Sequence, residues 1–456
     1  MLSERDRFKD IENAVLEKIR PDARAREKIV STINVLTKKL KEAIAKHKSG
    51  AEVILVGSCA RDTFMKDSKD IDLFILFPEN LPREKLENEG IKLGMEVLNG
   101  ELRYAEHPYV HGYYNGFEVD IVPCYKVKDP SKKLSAVDRT PFHNQYVTQH
   151  LKEEQKDQVR LLKQFLKGIG IYGAEASVQG FSGYLCELLI IKYGSFHRLL
   201  ENATTWRANI HMWLEKEPVK KFPEPLVFID PVDINRNVAS AVSLDSLSIF
   251  IVSAKRYLEN PDIKFFFPEN KDVPVREARK FIRNYLGETG TAIIIVTAPH
   301  PGKVEDIVFP QLKKMERVIV QNLSMAGFRV LRSSSFSSDA RKKLVVVLEI
   351  ESLTIPALYL HSGPYVWLNN AREFLAKYAE GKNVIVPPYI SGGRWVVGLK
   401  KTETHAIEYL KNRVATWNLG KDISNMGIEV QGLEGVSTKE EANFILKFLK
   451  PPLPGS

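Results

Sequence analysis

The chain has 456 residues, 44% apolar and 27% charged, with a net charge of +9. That length and composition predict roughly three domains and exclude wholesale disorder, while the basic excess favours a polyanionic partner such as nucleic acid or an acidic membrane surface. Three scattered cysteines (Cys59, Cys124 and Cys186) argue against a disulfide framework or a cysteine-built zinc site and fit a reducing cytoplasm. No apolar run approaches the roughly 20 residues of a membrane span, and the charged start MLSERDRFKD does not read as a secretory signal.

In chain order, residues 4–47 read as a densely charged helical segment, broken into two helices at Pro21-Asp22. A β-rich run at 52–56 (EVILV) ends at Gly57-Ser58, a helix-like turn runs to Phe64, and 71–77 forms a second, nearly continuous apolar strand stopped by Pro78. A helix at 82–98 and strands at 102–106 and 109–114 follow. Asn115-Gly116 joins the last of these to 117–125, a strong short-range hairpin signal. Strands and helices alternating in this way predict a small domain with a mixed sheet. From 142 to 262 the pattern is mainly helical, with apolar faces at 144–168, 182–201 and 244–260. Ser182 and Ser243 stand at N-cap positions. The proline-rich stretch 222–231 reads as a connector rather than an element. Beyond 262, helices at 275–286 and 308–326 and strands at 291–298, 328–332 and 343–351 suggest a ferredoxin-like α+β region. Short strands (384–386, 395–399) and helices (402–415, 438–449) complete the chain.

Asp70 and Asp72 stand at the mouth of the apolar strand, two residues apart and therefore on one side. Two such charges about 4 Å apart, at an effective dielectric near 20, repel by roughly 4 kcal/mol. A divalent cation ligated by oxygen relieves that repulsion; a polar strand end in water is the plain alternative. Gly57-Ser58, at a strand end and a helix start, can cradle a phosphate, and Arg61 follows one helical turn later. Asp120 alternates with Val119 and Ile121 in the hairpin strand and again needs a partner. Lys152, Lys156, Arg160, Lys163 and Lys167 fall within an arc of roughly 80° on one helix. Five cations in one stripe predict an anion alongside, triphosphate or RNA, over a merely solvated face. On this reading, reversing Lys156 and Arg160 to Glu weakens RNA binding in a salt-dependent way.

A Gly-Ser followed by a same-face acid pair and a later single acid is similar to the DNA polymerase beta-like nucleotidyltransferases. VGSCARDT (56–63), KDIDLFILFP (69–78), FEVDIVPCY (117–125), RTPFH (139–143) and GFSGYLCELLI (180–190) go further and resemble the class I, archaeal-type CCA-adding enzymes. The specific motifs cover about the first half of the chain, and the rest matches by domain order only. Cys59 occupies a variable slot, and Asp70 stands where many relatives carry Glu; either acid can hold Mg²⁺.

The resemblance implies an α+β multidomain fold. It comprises a mixed-sheet nucleotidyltransferase head (1–143), a helical neck (144–262), a ferredoxin-like body (263–355) and a small α+β tail (356–456). It implies template-independent addition and repair of the 3′-terminal CCA of transfer RNA from CTP and ATP, with release of pyrophosphate. Asp70, Asp72 and Asp120 would hold two Mg²⁺ ions, with Asp120 also placed to take the primer proton. Ser58 and Arg61, with Lys163 and Tyr172, would grip the triphosphate. Thr140 and His143 would lie at the nucleotide, and Arg236 would help select the base. Each has a plain alternative: His143 capping a carbonyl, Tyr172 packing in a core, Arg236 as a surface or capping charge. The implied partners are the acceptor arm and 3′ end of transfer RNA, with no membrane; monomer and homodimer both stay open. A poly(A) polymerase or oligoadenylate synthetase type of transferase, and a silent RNA-binding module on the same fold, are the competing readings. The aromatics Tyr359, Tyr365, Trp367, Tyr389 and Trp395 are expected mostly in core or loop packing, and 333–343 (SSSFSSDARKK) as a flexible loop.

Overall fold

A computed structural model describes residues 4–104, 107–129, 135, 137–218, 220–269, 273–338 and 342–453. The chain forms two compact units, Met1–Glu269 and Asn270–Pro452.

The first unit opens with helices α1 (Glu4–Ile19) and α2 (Ala23–His47). They part at Pro21, and the Asp22 carboxylate caps α2 by accepting from the Ala25 N–H at 2.8 Å. Next come β1 (Glu52–Val56), the single turn α3 (Gly57–Ala60), β2 (Asp70–Phe77), α4 (Arg83–Val97), β3 (Glu101–Tyr104), β4 (Pro108–Tyr114) and β5 (Phe117–Tyr125). The strands form one mixed sheet in the order β1-β2-β5-β4-β3, in which only the central pair, β2 and β5, is parallel. The hairpin between β4 and β5 turns on Asn115 and Gly116, both at positive φ (53° and 82°), as a two-residue turn demands. Expected residues 105 and 106 of the third strand lie outside the described residues.

Alternation along β2 sorts its side chains. Ile71, Leu73 and Ile75 pack with Val119 and Ile121 beneath Leu36, Leu40, Leu86 and Leu93 of α2 and α4. Asp70, Asp72, Phe74 and Leu76 face the other way, where Phe74 and Leu76 pack with Val56 and Cys124. The acids thus sit at the open end of the face that the two helices leave uncovered.

The helical part departs from the expected spans in a regular way. The run at 144–168 is two helices, α5 (Thr140–His150) and α6 (Gln155–Gly168), and 182–201 is two more, α7 (Gly183–Tyr193) and α8 (Phe196–Ala203). Continuous apolar periodicity hid the breaks. One follows His150; the other falls at Gly194, whose φ of 86° ends α7. Ser182 and Ser243 cap α7 and α9 (Leu244–Glu259), as expected. The stretch 222–231 is not a mere connector. It contains β7 (Leu226–Asp230), wholly buried between β6 (Ile210–Met212) and β8 (Asp233–Asn237), because its prolines flank LVFID rather than interrupt it.

The second unit contains α10 (Val275–Thr289), β9 (Ala292–Pro299), α11 (Glu305–Ala326), β10 (Val330–Ser338) and β11 (Lys343–Ile350). It continues with β12 (Leu358–Tyr365), α12 (Ala371–Tyr378), β13 (Val384–Ser391), β14 (Arg394–Lys400), α13 (Ala406–Arg413), β15 (Glu429–Gln431) and α14 (Lys439–Leu449). A four-stranded sheet, β10-β11-β9-β15, packs Ile293, Ile295, Val345 and Val347 with Ala278, Ile282, Ala442 and Ile445 of α10 and α14. The expected loop 333–343 is mostly ladder. Ser333 to Ser338 pair with Leu348 to Lys343, and residues 339–341 at the turn lie outside the described residues. The serines are strand residues there: Ser333 and Ser335 donate to the Glu316 carboxylate at 2.7 and 2.6 Å. A separate sheet, β12-β14-β13, carries α12 on one face. Of the five aromatics expected to pack, only Trp395 joins that core. Trp367 is 69% exposed and stacks on Tyr365 at 4.8 Å, with the Arg394 guanidinium 3.8 Å above the Tyr365 ring; Tyr359 and Tyr389 are also exposed.

Candidate active site

The parallel register of β2 and β5 builds the first cluster. Asp70 lies beside Glu118 and Asp72 beside Asp120, four acids on one face. Burial raises the Asp72 carboxyl to about 6, reinforced by the charges of Asp120 and Asp70. Burial also raises the Asp70 carboxyl, and the charges of Glu118 and Asp120 beside it push it the same way. From the far side of β5, His111 Nδ1 bonds Asp120 Oδ1 at 2.7 Å, and the buried Nε2 of His111 has no partner among the described residues.

Gly57 is fitted to this face twice over. Its φ of 75° is a left-handed conformation, and a Cβ there would stand 2.2 Å from Asp72 Oδ2. Val56 pairs with Asp72 across β1 and β2, so the Gly57-Ser58 turn closes directly over the second acid.

No three acidic, histidine or cysteine side chains among the described residues converge tightly enough to enclose an ion as they stand. Asp120 has one oxygen turned toward His111. The donor set nevertheless suits a hard divalent cation: it is all oxygen, all of one sign and shares one face. Its best-buried member, Asp72, is held above the usual carboxylate range by burial and by the acids beside it.

The second group surrounds the loop between α3 and β2. Arg61 Nε bonds the Glu187 carboxylate at 3.0 Å and its Nη1 bonds Asn144 at 3.3 Å. The Thr63 hydroxyl donates to the same Glu187 at 2.6 Å, and Lys163 Nζ donates to the Thr63 carbonyl at 3.0 Å. Burial lowers the Lys163 ammonium, against the pull of Glu187. Tyr172 pairs with Phe181 in a single bridge, and its hydroxyl and Lys163 Nζ both border Gly183 at the start of α7. Burial raises the Tyr172 phenol, with the nearby acids Glu187 and Asp70 adding to it.

The basic stripe is the main correction. Lys152 precedes α6 rather than lying on it. Arg160, 2% exposed, donates to the Asp62 and Phe64 carbonyls and to the carboxylates of Asp62 and Asp157. Lys156 pairs with Asp62 and Glu153, and Lys167 with Asp67. The anions alongside this stripe therefore belong to the chain itself. They lie on 62–67 and on α6 and its approach, and the expectation that Lys156 and Arg160 face RNA falls with that.

A third group centres on Asp230 at the end of β7. His143 and Arg236 both donate to it at 2.8 Å. The His143 ring stacks on Tyr184 at 4.2 Å, and Arg139 bonds Asp233 at 3.0 Å. Burial lowers the pKa of the His143 imidazole, with Arg236 and Arg139 adding to it against the raising effect of Asp230. Thr140 begins α5 three residues before His143, on the same face. Asn144 of α5 reaches Arg61, so this helix spans the second and third groups.

The structure thus brings Asp70, Asp72 and Asp120 onto one face with Gly57-Ser58 over it, and brings Lys163 and Tyr172 together at the start of α7. His143 and Arg236 form a separate pair. Sequence reasoning missed Glu118, His111, Glu187 and Asp230. Two were within reach. Glu118 repeats the two-residue spacing of Asp70 and Asp72, and a two-residue turn at Asn115-Gly116 places His111 opposite Asp120.

Comparison with known proteins fits this arrangement. The profile described as "Nucleotidyltransferase domain" matches residues 37–143, "tRNA nucleotidyltransferase, second domain" matches 157–267, and "CCA-adding enzyme, C-terminal domain" matches 289–430. The chain is 39% identical to the CCA-adding enzyme of Methanosarcina mazei over 430 residues, 92% of this chain and 93% of that one. It is 40% identical to that of Archaeoglobus fulgidus over 378 residues (82% and 84%) and 36% identical to that of Methanothermobacter thermautotrophicus over 453 (96% and 97%). Likeness at that level over nearly the whole length, added to the acid face and its glycine turn, settles the family: the chain belongs to the CCA-adding enzymes.

Proposed function

We propose that the chain completes and repairs the 3′-terminal CCA of transfer RNA from CTP and ATP, one nucleotide at a time and without a nucleic-acid template. The observation that carries this reading is the in-register pairing of Asp70 with Glu118 and Asp72 with Asp120, beneath the Gly57-Ser58 turn. The primer 3′-oxygen attacks the α-phosphorus, the bond to the bridging oxygen breaks, and pyrophosphate leaves. Asp120 takes the hydroxyl proton. Asp70, Asp72 and Asp120 would hold divalent metal, in our reading two Mg²⁺ ions. When bound, the metal supplies polarisation of the attacking hydroxyl and charge neutralisation at the leaving group.

Ser58, Lys163 and Tyr172 hold the triphosphate beside the acids. Arg61 helps from its position against Glu187 and Asn144. Thr140 and His143 contact the nucleotide, and Arg236 reads the base. The second unit receives the duplex acceptor arm by shape and phosphate contacts. We keep the division into head, neck, body and tail at 143, 262 and 355 as part of this proposal. No helix among the described residues is long and apolar enough to cross a membrane, and we propose a cytoplasmic setting.

A poly(A) polymerase or oligoadenylate synthetase type of activity is not favoured, because relatives across the whole length are CCA-adding enzymes. The deciding experiment supplies trimmed transfer RNA with CTP alone, ATP alone and both. Two C residues from CTP alone, and one further A when ATP is present, is the expected result. Untemplated runs of A, or no Mg²⁺-dependent incorporation at all, would overturn it.

A further inference from the structure

Two residues assigned above to the nucleotide, His143 and Arg236, are tied to one buried anion. Asp230 ends a strand whose five residues are all buried, and its side chain is 0% exposed. Oδ2 accepts from His143 Nε2 and from Arg236 Nη1, each at 2.8 Å; Oδ1 accepts from the Val232 N–H at 3.1 Å and the Tyr184 hydroxyl at 3.3 Å. Four donors fill the acceptor capacity of one carboxylate, so neither oxygen has a reason to turn elsewhere. The bond also fixes His143 with its proton on Nε2. The Arg236 side chain remains 32% exposed, which leaves the rest of its guanidinium open to a ligand.

We infer that Asp230 is the positioning residue for nucleotide choice: by holding one nitrogen of Arg236 in place, it turns a mobile cation into a fixed donor. The reason lies in the bases. Cytosine and adenine each place a ring-nitrogen acceptor beside an amino group, whereas uracil and guanine place a ring N–H beside a carbonyl. A donor held at the ring nitrogen bonds the first pair and opposes an N–H in the second. A donor free to swing by a few ångströms reaches the uracil or guanine carbonyl instead, and the distinction is lost. A buried, charge-assisted anchor is what keeps a long arginine from swinging. This inference rests on the reading that Arg236 contacts the base, and it adds the residue that makes such contact selective.

The test measures kcat and KM for CTP, ATP, UTP and GTP on transfer RNA lacking its CCA end, together with equilibrium binding of CTP and UTP to the enzyme. Asp230→Asn keeps the shape but turns the strong shared acceptor into a weak one. The expected result is a fall of about tenfold or more in the CTP-to-UTP ratio of kcat/KM, carried by KM, with a matching fall in the binding ratio. A loss of packing alone would lower all four nucleotides together and leave the ratios standing. If a melting curve shows Asp230→Asn to be unfolded, Asp230→Glu, which keeps the charge but displaces the oxygens, is measured against the same expectation. A ratio within twofold of the parent, while Arg236→Ala loses it, overturns the role of Asp230 and leaves the base contact intact. A ratio unchanged in Arg236→Ala removes the base contact itself, and this inference with it.

Discussion

Two clusters of like charge lie within the first unit, and they mean opposite things. On the sheet, Asp70, Asp72, Glu118 and Asp120 crowd one face, and among the described residues the one basic side chain bonded to them is His111, at Asp120. On α6, Lys156, Arg160 and Lys167 look just as self-repelling in sequence, yet each finds an acid supplied by the chain. A row of one sign is therefore ambiguous until its neighbours are known. What separates ligand site from seam is whether folding brings the counter-charge. In α6 it does, from the loop some 96 to 98 residues earlier that follows the glycine turn. The basic seam clamps the loop that the acidic face needs in place.

The contrast is tested most harshly at the acids. Asp72→Ala is expected to cut nucleotide incorporation by about 10³-fold or more, each factor of ten being ~1.4 kcal/mol of barrier, with affinity for transfer RNA within twofold of the parent in filter binding. Gly57→Ala comes next. The added methyl must displace the Asp72 carboxylate, and the left-handed backbone resists any side chain. We expect a loss of about 10²-fold in kcat, with the protein still folded by circular dichroism; near-normal turnover would mean that the close fit of turn and acid is incidental.

Much of this was legible beforehand. Alternation along 70–77 and the Asn115-Gly116 turn gave both the sheet and the face on which the acids lie, because period and turn geometry are local. The seam was not legible: whether Arg160 meets RNA or Asp62 depends on docking between segments far apart in sequence, which periodicity does not report. β7 was hidden for a related reason, since Pro223, Pro225 and Pro231 flank a short strand that only its buried neighbours define. Ser333 to Ser338 read as a loop because they lack the apolar alternation of a strand, yet the apolar run Leu344 to Leu348 of the partner strand carried them into the ladder.

The seam has its own test. Arg160→Met keeps the apolar stem but takes the donor from the Asp62 and Phe64 carbonyls and one partner each from the Asp62 and Asp157 carboxylates, of which Asp62 keeps Arg26 and Lys156. Removing one partner of a nearly buried pair is expected to cost about 2–3 kcal/mol, read as a lower midpoint in urea. The slope of log affinity for transfer RNA against log salt should stay as in the parent, because no phosphate contact has gone. A slope shallower by about one unit would return Arg160 to the RNA surface.

The smallest effect concerns the acid face without its cation. Asp72 sits near 6 in the folded chain, above the ordinary carboxylate value of 3.8. Between those two values the folded state holds a proton that the unfolded chain has released, so this group makes stability fall as pH rises from about 4 to about 6, and level off above. In the presence of a chelator, Asp72→Asn should therefore melt at a higher temperature than the parent at pH 7, and the gap should close toward pH 4. Other acids held low, such as Asp230, act in the opposite sense in both proteins and cancel in the difference. Adding Mg²⁺ at pH 7 should raise the parent more than the variant, since the ion relieves a repulsion that the amide has already removed. Equal melting of the two across the whole range, with and without the ion, would mean that the four acids are too well hydrated to repel, and that their place on one face is no reason for a metal to bind there.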